Sequence, residues 1–344
     1  MIKNPNPLNV NEPKLGIQIT QRKMLAEVVN NKTVENAKIT DICFNNQKYK
    51  TQLASIDISG VLKIWDVAQN RLIQQFHASN MWLTTVDVEK QEGKKVACGT
   101  LDGKVLVYEI NQSNKKGKSF SKDKPNIELF GHSGSIQCVQ FLSPQYIIAG
   151  STDSLVSLWD LENPQRYLAI HQQHTGDVLS LHAYENDSNI FISGSSDLTC
   201  KIWDIRVKKP VQAEYKGHES AVNTVKFIQM PQPTTFVTGS DDASINLWDL
   251  RMKDPIVSFQ DSCYYDSIYS IAISLSGRYI FAASENSTLK VFDVLGDTDI
   301  YTNLDVGLQQ NDGLIKSIDI SADGYALGMA LGTKSNHKDL LVIM

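Results

Sequence analysis

The chain has 344 residues, 42% of them apolar and 21% charged, and 33 basic against 38 acidic side chains give a net charge of −5. That composition belongs to a folded globular protein and excludes general disorder and a coiled-coil rod; without a basic excess, a dedicated nucleic-acid binder is also excluded. No stretch approaches the roughly 18 apolar residues of a membrane-spanning helix, and the five cysteines lack the paired spacings of a zinc site.

The opening Met1-Ile2-Lys3-Asn4-Pro5 has no apolar signal-peptide core. With the odd, scattered cysteines it predicts a reducing, cytoplasmic setting. Residues 1–15 carry Pro5, Pro7 and Pro13 and no heptad pattern, so they read as a short extension rather than a helix. The next run, Gly16 to Leu25, alternates in polarity and reads as a strand.

From there the chain repeats itself. Short apolar strands end in an aromatic–acidic pair at Trp65-Asp66, Tyr108-Glu109, Trp159-Asp160, Trp203-Asp204, Trp248-Asp249 and Phe292-Asp293, spaced by 43, 51, 44, 45 and 44 residues. Gly131-His132, Gln173-His174 and Gly217-His218 stand 27 to 30 residues before their aromatics. A last matching strand runs from Leu340 to Met344. This period, with Gly-His at one end and Trp-Asp at the other, predicts four-stranded propeller blades. The expected fold is all-β: a seven-bladed propeller forming one domain over 16–344, with Gly16 to Leu25 as the outer strand of the last blade. The longer 51-residue step comes from Asn111 to Lys124, which holds Lys115, Lys116, Lys118, Lys122 and Lys124. It reads as a solvated loop on the rim opposite the Gly-His loops, or as a grip for an acidic partner.

Two repeats carry a full polar set: His174, Ser193, Asp197 and Trp203, then His218, Thr238, Asp242 and Trp248. The acid lies six residues before the Trp and the hydroxyl ten before it in both. Other repeats depart, with Ala149 and Cys98 at the hydroxyl position, and with Ser59, Asn286 and Lys338 at the acid position. Those blades are expected to rely on apolar packing. A Ser-His-Asp triad is a competing reading of His174, Ser193 and Asp197. Its recurrence one repeat later favours a structural role, since one active site needs one nucleophile. No phosphate loop, metal-ligand cluster or cofactor motif is present, so neither a metal, a cofactor nor an enzyme is expected.

The repeats resemble the WD-repeat family. The runs Gly131 to Cys138, His174 to Leu181, Gly217 to Ser220, Thr238 to Ala243 and Val96 to Asp102 are most similar to the β subunit of heterotrimeric G proteins. In that family the residues forming the buried chain run from acid through imidazole and hydroxyl to indole. The resemblance also implies that the Gly-His rim binds an α subunit and effectors, through Lys38, Trp82, Leu101, Asp177, Asn223 and Asp241. Departures stand beside these: Thr40, Val61, Ser135, Ala221, Leu314 and His337 replace family contact types, and the segments 26–35 and 332–338 are longer. The family's N-terminal helix, which coils with a γ subunit, has no counterpart in residues 1–15, so a γ-type partner is not expected. The implied function is a non-enzymatic scaffold that docks other proteins, within a multi-subunit assembly or against a G-protein α-like subunit. The alternative is a working β subunit in signal transduction.

Overall fold

Runs such as Val222 to Phe227, with one face apolar and turn residues at either end, form half-buried strands. The computed structural model describes residues 23–24, 38–45, 52–69, 71–110, 124–165, 167–228, 234–260, 266–285, 288–295, 301–304, 314–324, 326–332 and 340–343. The chain enters with β1 (Lys23–Met24). Blade one is β2 (Ile39–Phe44), β3 (Gln52–Asp57), β4 (Val61–Asp66) and β5 (Arg71–His77). Blade two is β6 (Leu83–Val88), β7 (Lys95–Thr100), β8 (Lys104–Glu109) and β9 (Ile127–Phe130). Blade three is β10 (Ile136–Phe141), β11 (Tyr146–Ser151), β12 (Leu155–Asp160) and β13 (Tyr167–Gln172). Blade four is β14 (Val178–Ala183), β15 (Ile190–Ser195), β16 (Thr199–Asp204) and β17 (Val211–Lys216). Blade five is β18 (Val222–Phe227), β19 (Thr235–Ser240), β20 (Ser244–Asp249) and β21 (Val257–Gln260). Blade six is β22 (Ile268–Ile273), β23 (Tyr279–Ser284), β24 (Leu289–Asp293) and β25 (Tyr301–Leu304). The chain closes with β26 (Leu314–Ile320), β27 (Leu327–Gly332) and β28 (Leu340–Ile343).

This corrects the expected seven-bladed count. Six blades are whole, each a meander of four consecutive strands, whereas the chain ends share a composite sheet in the order β1-β28-β27-β26. Of the expected closing segment Gly16 to Leu25, Lys23 and Met24 are described and pair as the outer strand with Ile343 and Val342; residues 16–22 and Leu25 lie outside the described residues. The physical reason for the count is that the repeat pattern marks only strands that end in an aromatic–acidic pair. A strand borrowed from the far end of the chain carries no such mark. The extension 1–15, the segments 26–35 and 111–123, Asn286, His337 and Lys338 lie outside the described residues.

Each inner strand is an edge of its own sheet, so one row of its N–H and C=O groups has no ladder partner. The neighbouring blade supplies partners from side chains. Phe44 N–H donates to Asp319 Oδ2 at 2.7 Å, Val86 N–H to Asp41 Oδ2 at 2.9 Å and Phe141 N–H to Asp87 Oδ2 at 2.7 Å. Ala183 N–H donates to Gln140 Oε1 at 2.6 Å, Phe227 N–H to His182 Nδ1 at 3.1 Å and Ile318 N–H to Ser270 Oγ at 3.1 Å. The acceptor always sits on the preceding inner strand. A β-bulge at the second residue of β2, β6, β10, β14, β18 and β22, and at the third of β26, adds another tier. There Thr40 Oγ1 donates to Leu83 O at 2.7 Å, and Asn223 Nδ2 to Ile268 O at 3.1 Å. β26 packs against both β22 and β2, which closes the ring.

Apolar side chains fill the space between neighbouring blades. Leu129 and Val107 of blade two meet Phe141 and Trp159 of blade three, and Ala330 of the composite sheet meets Phe44 and Trp65 of blade one. The ring encloses a channel of about 560 Å³ lined by Asp41, Asp87, His182, Lys226 and Asp319, among others. Burial drives the Asp87 carboxyl up to about 6, against the opposing pull of Lys90, the Phe141 N–H and Lys226. Burial likewise raises Asp41 and Asp319.

A raised carboxylate pKa favours folding fully below the unfolded value near 4, and the benefit is lost as pH rises through about 6. Asp87→Asn keeps an acceptor for Phe141 without a charge. Urea unfolding at pH 4.5 and pH 7 should therefore show a shallower loss of stability with rising pH in this variant than in the wild type. An unchanged slope contradicts the assignment of Asp87 as a buried, titrating latch.

Candidate functional site

Two sets of turns emerge on one rim: those leading into each inner strand and those joining the second and third strands of each blade. Gly60 shapes the first of them. Its φ is +80°, and a Cβ there would lie 1.8 Å from the Ser79 carbonyl oxygen, so only glycine lets the chain pass. This fixes the bend that presents Met81 and Trp82. The Trp82 indole is 53% exposed, and the Leu101 N–H donates to the Trp82 carbonyl at 3.0 Å, holding Leu101 beside it. Met81 and Leu101 are also exposed. Lys38 is exposed at the entrance to blade one, where its carbonyl accepts the Ile58 N–H.

The polar candidates stand on blades four and five of the same rim. Asn223 Nδ2 donates to Asp241 Oδ1 at 2.5 Å, so the pair is locked together with Asn223 half-buried and Asp241 exposed. Asp177 is half-buried, and its backbone is clamped to Ser196 in both directions. The structure thus brings Trp82 next to Leu101, and Asn223 next to Asp241, with Lys38 and Asp177 further along the rim. Thr40 is absorbed by its bond to Leu83, and the Ser135 N–H is held by Thr152 Oγ1, so neither departure position offers a free group of the family's type. Met81 and Leu198 escaped the sequence reading. Leu198 has φ +69° and is still exposed. A left-handed leucine costs roughly 1–2 kcal/mol, and the signal that could have found it is the repeat itself, since Gly60 and Gly103 hold the same left-handed turn position in blades one and two.

Beneath the rim lie the buried polar chains. His174 Nδ1 is 2.8 Å from Asp197 Oδ2, His174 Nε2 is 2.7 Å from Ser193 Oγ, and Trp203 Nε1–H donates to the same Oγ at 2.8 Å. In the next blade His218 bridges Asp242 and Thr238 at 2.8 and 2.6 Å, and Trp248 donates to Thr238 at 2.9 Å. The acids are shared with the turns: Asp197 also accepts the Thr175 and Thr199 N–H groups, and Asp242 those of Glu219 and Ser244. Burial opposes ionisation, yet bonds from His218, Ser244 and Glu219 hold the Asp242 carboxyl well below the usual range, and Asp197 follows the same pattern. Ser193 has no exposed surface and its oxygen already receives an indole N–H, so it is not placed as a nucleophile.

The third blade corrects the sequence expectation. Ala149 offers no hydroxyl, but its cross-strand partner is Ser157. Ser157 Oγ lies 2.7 Å from His132 Nε2 and accepts the Trp159 N–H at 2.8 Å, while His132 Nδ1 meets Asp153 at 3.0 Å. The hydroxyl has moved one strand across and the chain is kept. In blade one Trp65 donates to Ser55 Oγ at 2.8 Å, and Asp57 takes the turn N–H of Ser59. Among the described residues no group of three His, Cys, Asp or Glu is placed to hold a metal ion, and no helix is long and apolar enough to cross a membrane.

Comparison with known proteins agrees with this architecture. The family profile described as the Nucleolar protein 10-like, N-terminal domain, a β-propeller, matches residues 120–296. The guanine nucleotide-binding protein subunit beta of Oryza sativa subsp. japonica is 30% identical over 287 residues, covering 81% of this chain and 74% of the relative. Those of Solanum tuberosum and Arabidopsis thaliana are each 31% identical over the same shares of the two chains.

Ser157→Ala should leave Trp159 and His132 without their shared partner and cost about 1–3 kcal/mol in urea unfolding. Adding Ala149→Ser restores a hydroxyl at the position blade four uses, and should recover most of the loss. If Ser157→Ala is silent, or if the second change rescues nothing, the blade-three chain is not what stabilises that blade.

Proposed function

We propose, from the premise that this chain belongs to the WD-repeat β-propeller family together with the guanine nucleotide-binding protein β subunits, that it is a non-enzymatic docking scaffold working through the rim that bears Trp82. One observation carries this reading: the exposed Trp82, whose carbonyl accepts the N–H of the exposed Leu101, stands on a rim whose blade-four and blade-five hydroxyls and imidazoles are sunk in structural chains. A tryptophan has only two side-chain torsions to fix, so a half-exposed one adds large contact area at little entropy cost, the usual make-up of an interface anchor. Asp177, Asp241 and Lys38 would then set orientation at the rim, as charged positions around an anchor do. The partner is another protein within a larger assembly, in the cytoplasmic setting that the cysteines suggest.

A second reading, a working β subunit that grips a G-protein α-like subunit, is supported by the relatives' names and by the placement of Trp82, Leu101 and Asp241 on one rim. Thr40 and Ser135, tied down by Leu83 and Thr152, count against a full α-subunit surface.

Affinity purification under native conditions, followed by titration of the recovered partner, tests both. Trp82→Ala should weaken binding by about 2 kcal/mol or more with an unchanged melting temperature. Recovery of an α-type subunit favours the second reading, and recovery of a fixed multi-subunit complex the first. Normal affinity for Trp82→Ala overturns the rim assignment.

A further inference from the structure

The outer strand of each blade is a sheet edge whose outward N–H and C=O groups have no ladder partner. Most of these edges are short or charged. β5 begins with Arg71, β9 holds Glu128 and β17 holds Glu214 and Lys216, whereas β21 and β25 are four residues long. β13 has neither protection: Tyr167-Leu168-Ala169-Ile170-His171-Gln172 contains no lysine, arginine, aspartate, glutamate or proline. It is also poorly covered. The outer-strand residue opposite the second residue of the third strand is Phe76, Leu129, Tyr215 or Phe259 in blades one, two, four and five, each at most 3% exposed. In blade three it is His171, half-buried against Trp203 with ring centroids 5.7 Å apart, and no residue of β13 is buried. A bulge lies opposite Trp159, and there Tyr167 and Leu168 are 48% and 55% exposed. Gly131 lies against the Tyr167 ring, where a Cβ would be 3.5 Å from it, and the preceding Phe130 is exposed too. An uncharged, apolar strip therefore runs along the outer wall beside an open strand edge.

We propose that β13 is a self-association edge: it pairs antiparallel with β13 of a second copy of this chain about a two-fold axis at Ile170, which joins two blade-three sheets into one of eight strands. An open, neutral strand edge is matched by another of the same kind, and the second copy presents the identical one. In an antiparallel pair the two-fold axis passes between a residue and its own mate. Centred on Ile170, the pairing lies beyond the bulge. It sets Ile170 against the partner's Ile170 and the small Ala169 opposite the partner's His171, and no like charges meet across it. Outer strands lie on the convex perimeter of the ring, so two rings brought edge to edge touch at one blade each. A contact of that size falls below the roughly 1,200 Å² of a standard interface, so the dimer is weak and concentration-dependent. Antiparallel pairing inverts one ring relative to the other. The two Trp82 rims then face opposite ways, free of the dimer contact, and the pair offers two docking faces at once.

Sedimentation velocity of the full chain over about 5–300 µM tests this, with a mean mass that should rise from monomer toward dimer. Leu168→Lys changes an exposed position, and Ile170→Lys sets two ammonium groups face to face. Each should weaken self-association about tenfold, because a change near a two-fold axis counts twice. Trp82→Ala should dimerise like the wild type, which separates this edge from the docking rim. Opposite residues of an antiparallel pair have Cα atoms about 4.5–5.5 Å apart, within disulfide reach. Ile170→Cys should therefore form an intermolecular disulfide under mild oxidation, above the level of the wild type with its native cysteines, and Gln212→Cys on β17 should not. Melting curves show that each variant is folded. A chain that stays monomeric to the top of the range, a dimer that survives both lysine variants, or no added crosslinking at position 170 overturns the proposal.

Discussion

The structure depends on the unpaired edge of the inner strands. A four-stranded sheet leaves the inner strand with a row of amides that face neither a ladder nor bulk water. Such groups are costly to bury unless something accepts them. In this chain the acceptor comes each time from the preceding blade: Asp319 for Phe44, Asp41 for Val86, Asp87 for Phe141, Gln140 for Ala183 and His182 for Phe227. Because each of these bonds runs in the same sense around the axis, the inner strands of blades one to five are satisfied only when the preceding blade is in place. The ring is therefore cooperative by construction, and the composite sheet is tied in by the same kind of bond through Asp319 and Ser270. Three carboxylates, Asp41, Asp87 and Asp319, are buried by this device, and burial raises the pKa of each.

The second layer of organisation keeps the outer part of each blade rigid. An acid that orders a tight turn is linked through an imidazole and a hydroxyl to an indole on the third strand, so loop and sheet move as one body. Blades three, four and five reach this end with Ser157, Ser193 and Thr238, from two different strands. What matters is the location of an oxygen between His Nε2 and Trp Nε1, and the register of the sheet allows two residues to supply it. Rigid turns are what a docking rim needs, and the Leu101 turn in blade two is held differently, by Thr100 Oγ1, which donates to Asp102 Oδ1 at 2.6 Å and accepts the Lys104 N–H at 3.0 Å.

Much of this was legible in the sequence. The spacing of the Trp-Asp pairs showed the blades, and fixed offsets found the chains of His174 and His218. The offsets failed at Ala149, because a rule counted along the chain cannot see that Ser157 lies opposite it across the ladder. The latches were invisible for a related reason: Asp87, Gln140, His182 and Asp319 occupy one structural position with three different chemistries, carboxylate, amide and imidazole. Of the closing strand expected over Gly16 to Leu25, Lys23 and Met24 pair with β28, and the rest of the segment lies outside the described residues. Leu198 was missed because its left-handed backbone contradicts the preference of its residue type.

The functional account follows from what the fold leaves over. Among the described residues the imidazole, hydroxyl and carboxylate groups of the chains in blades three to five are bonded to one another, and the surface presents the exposed Trp82 on one rim and, on the other, lysine-bearing turns clamped by Arg206 and Arg251. Photo-crosslinking is the most direct test of the claim that the Trp82 rim is where this protein meets its partner. A benzophenone side chain placed at position 82, and in a second protein at the exposed position 275 on the opposite rim, would be irradiated in the native assembly. The account predicts a defined protein adduct from position 82 and none from position 275. A protein adduct formed only from position 275 would contradict it.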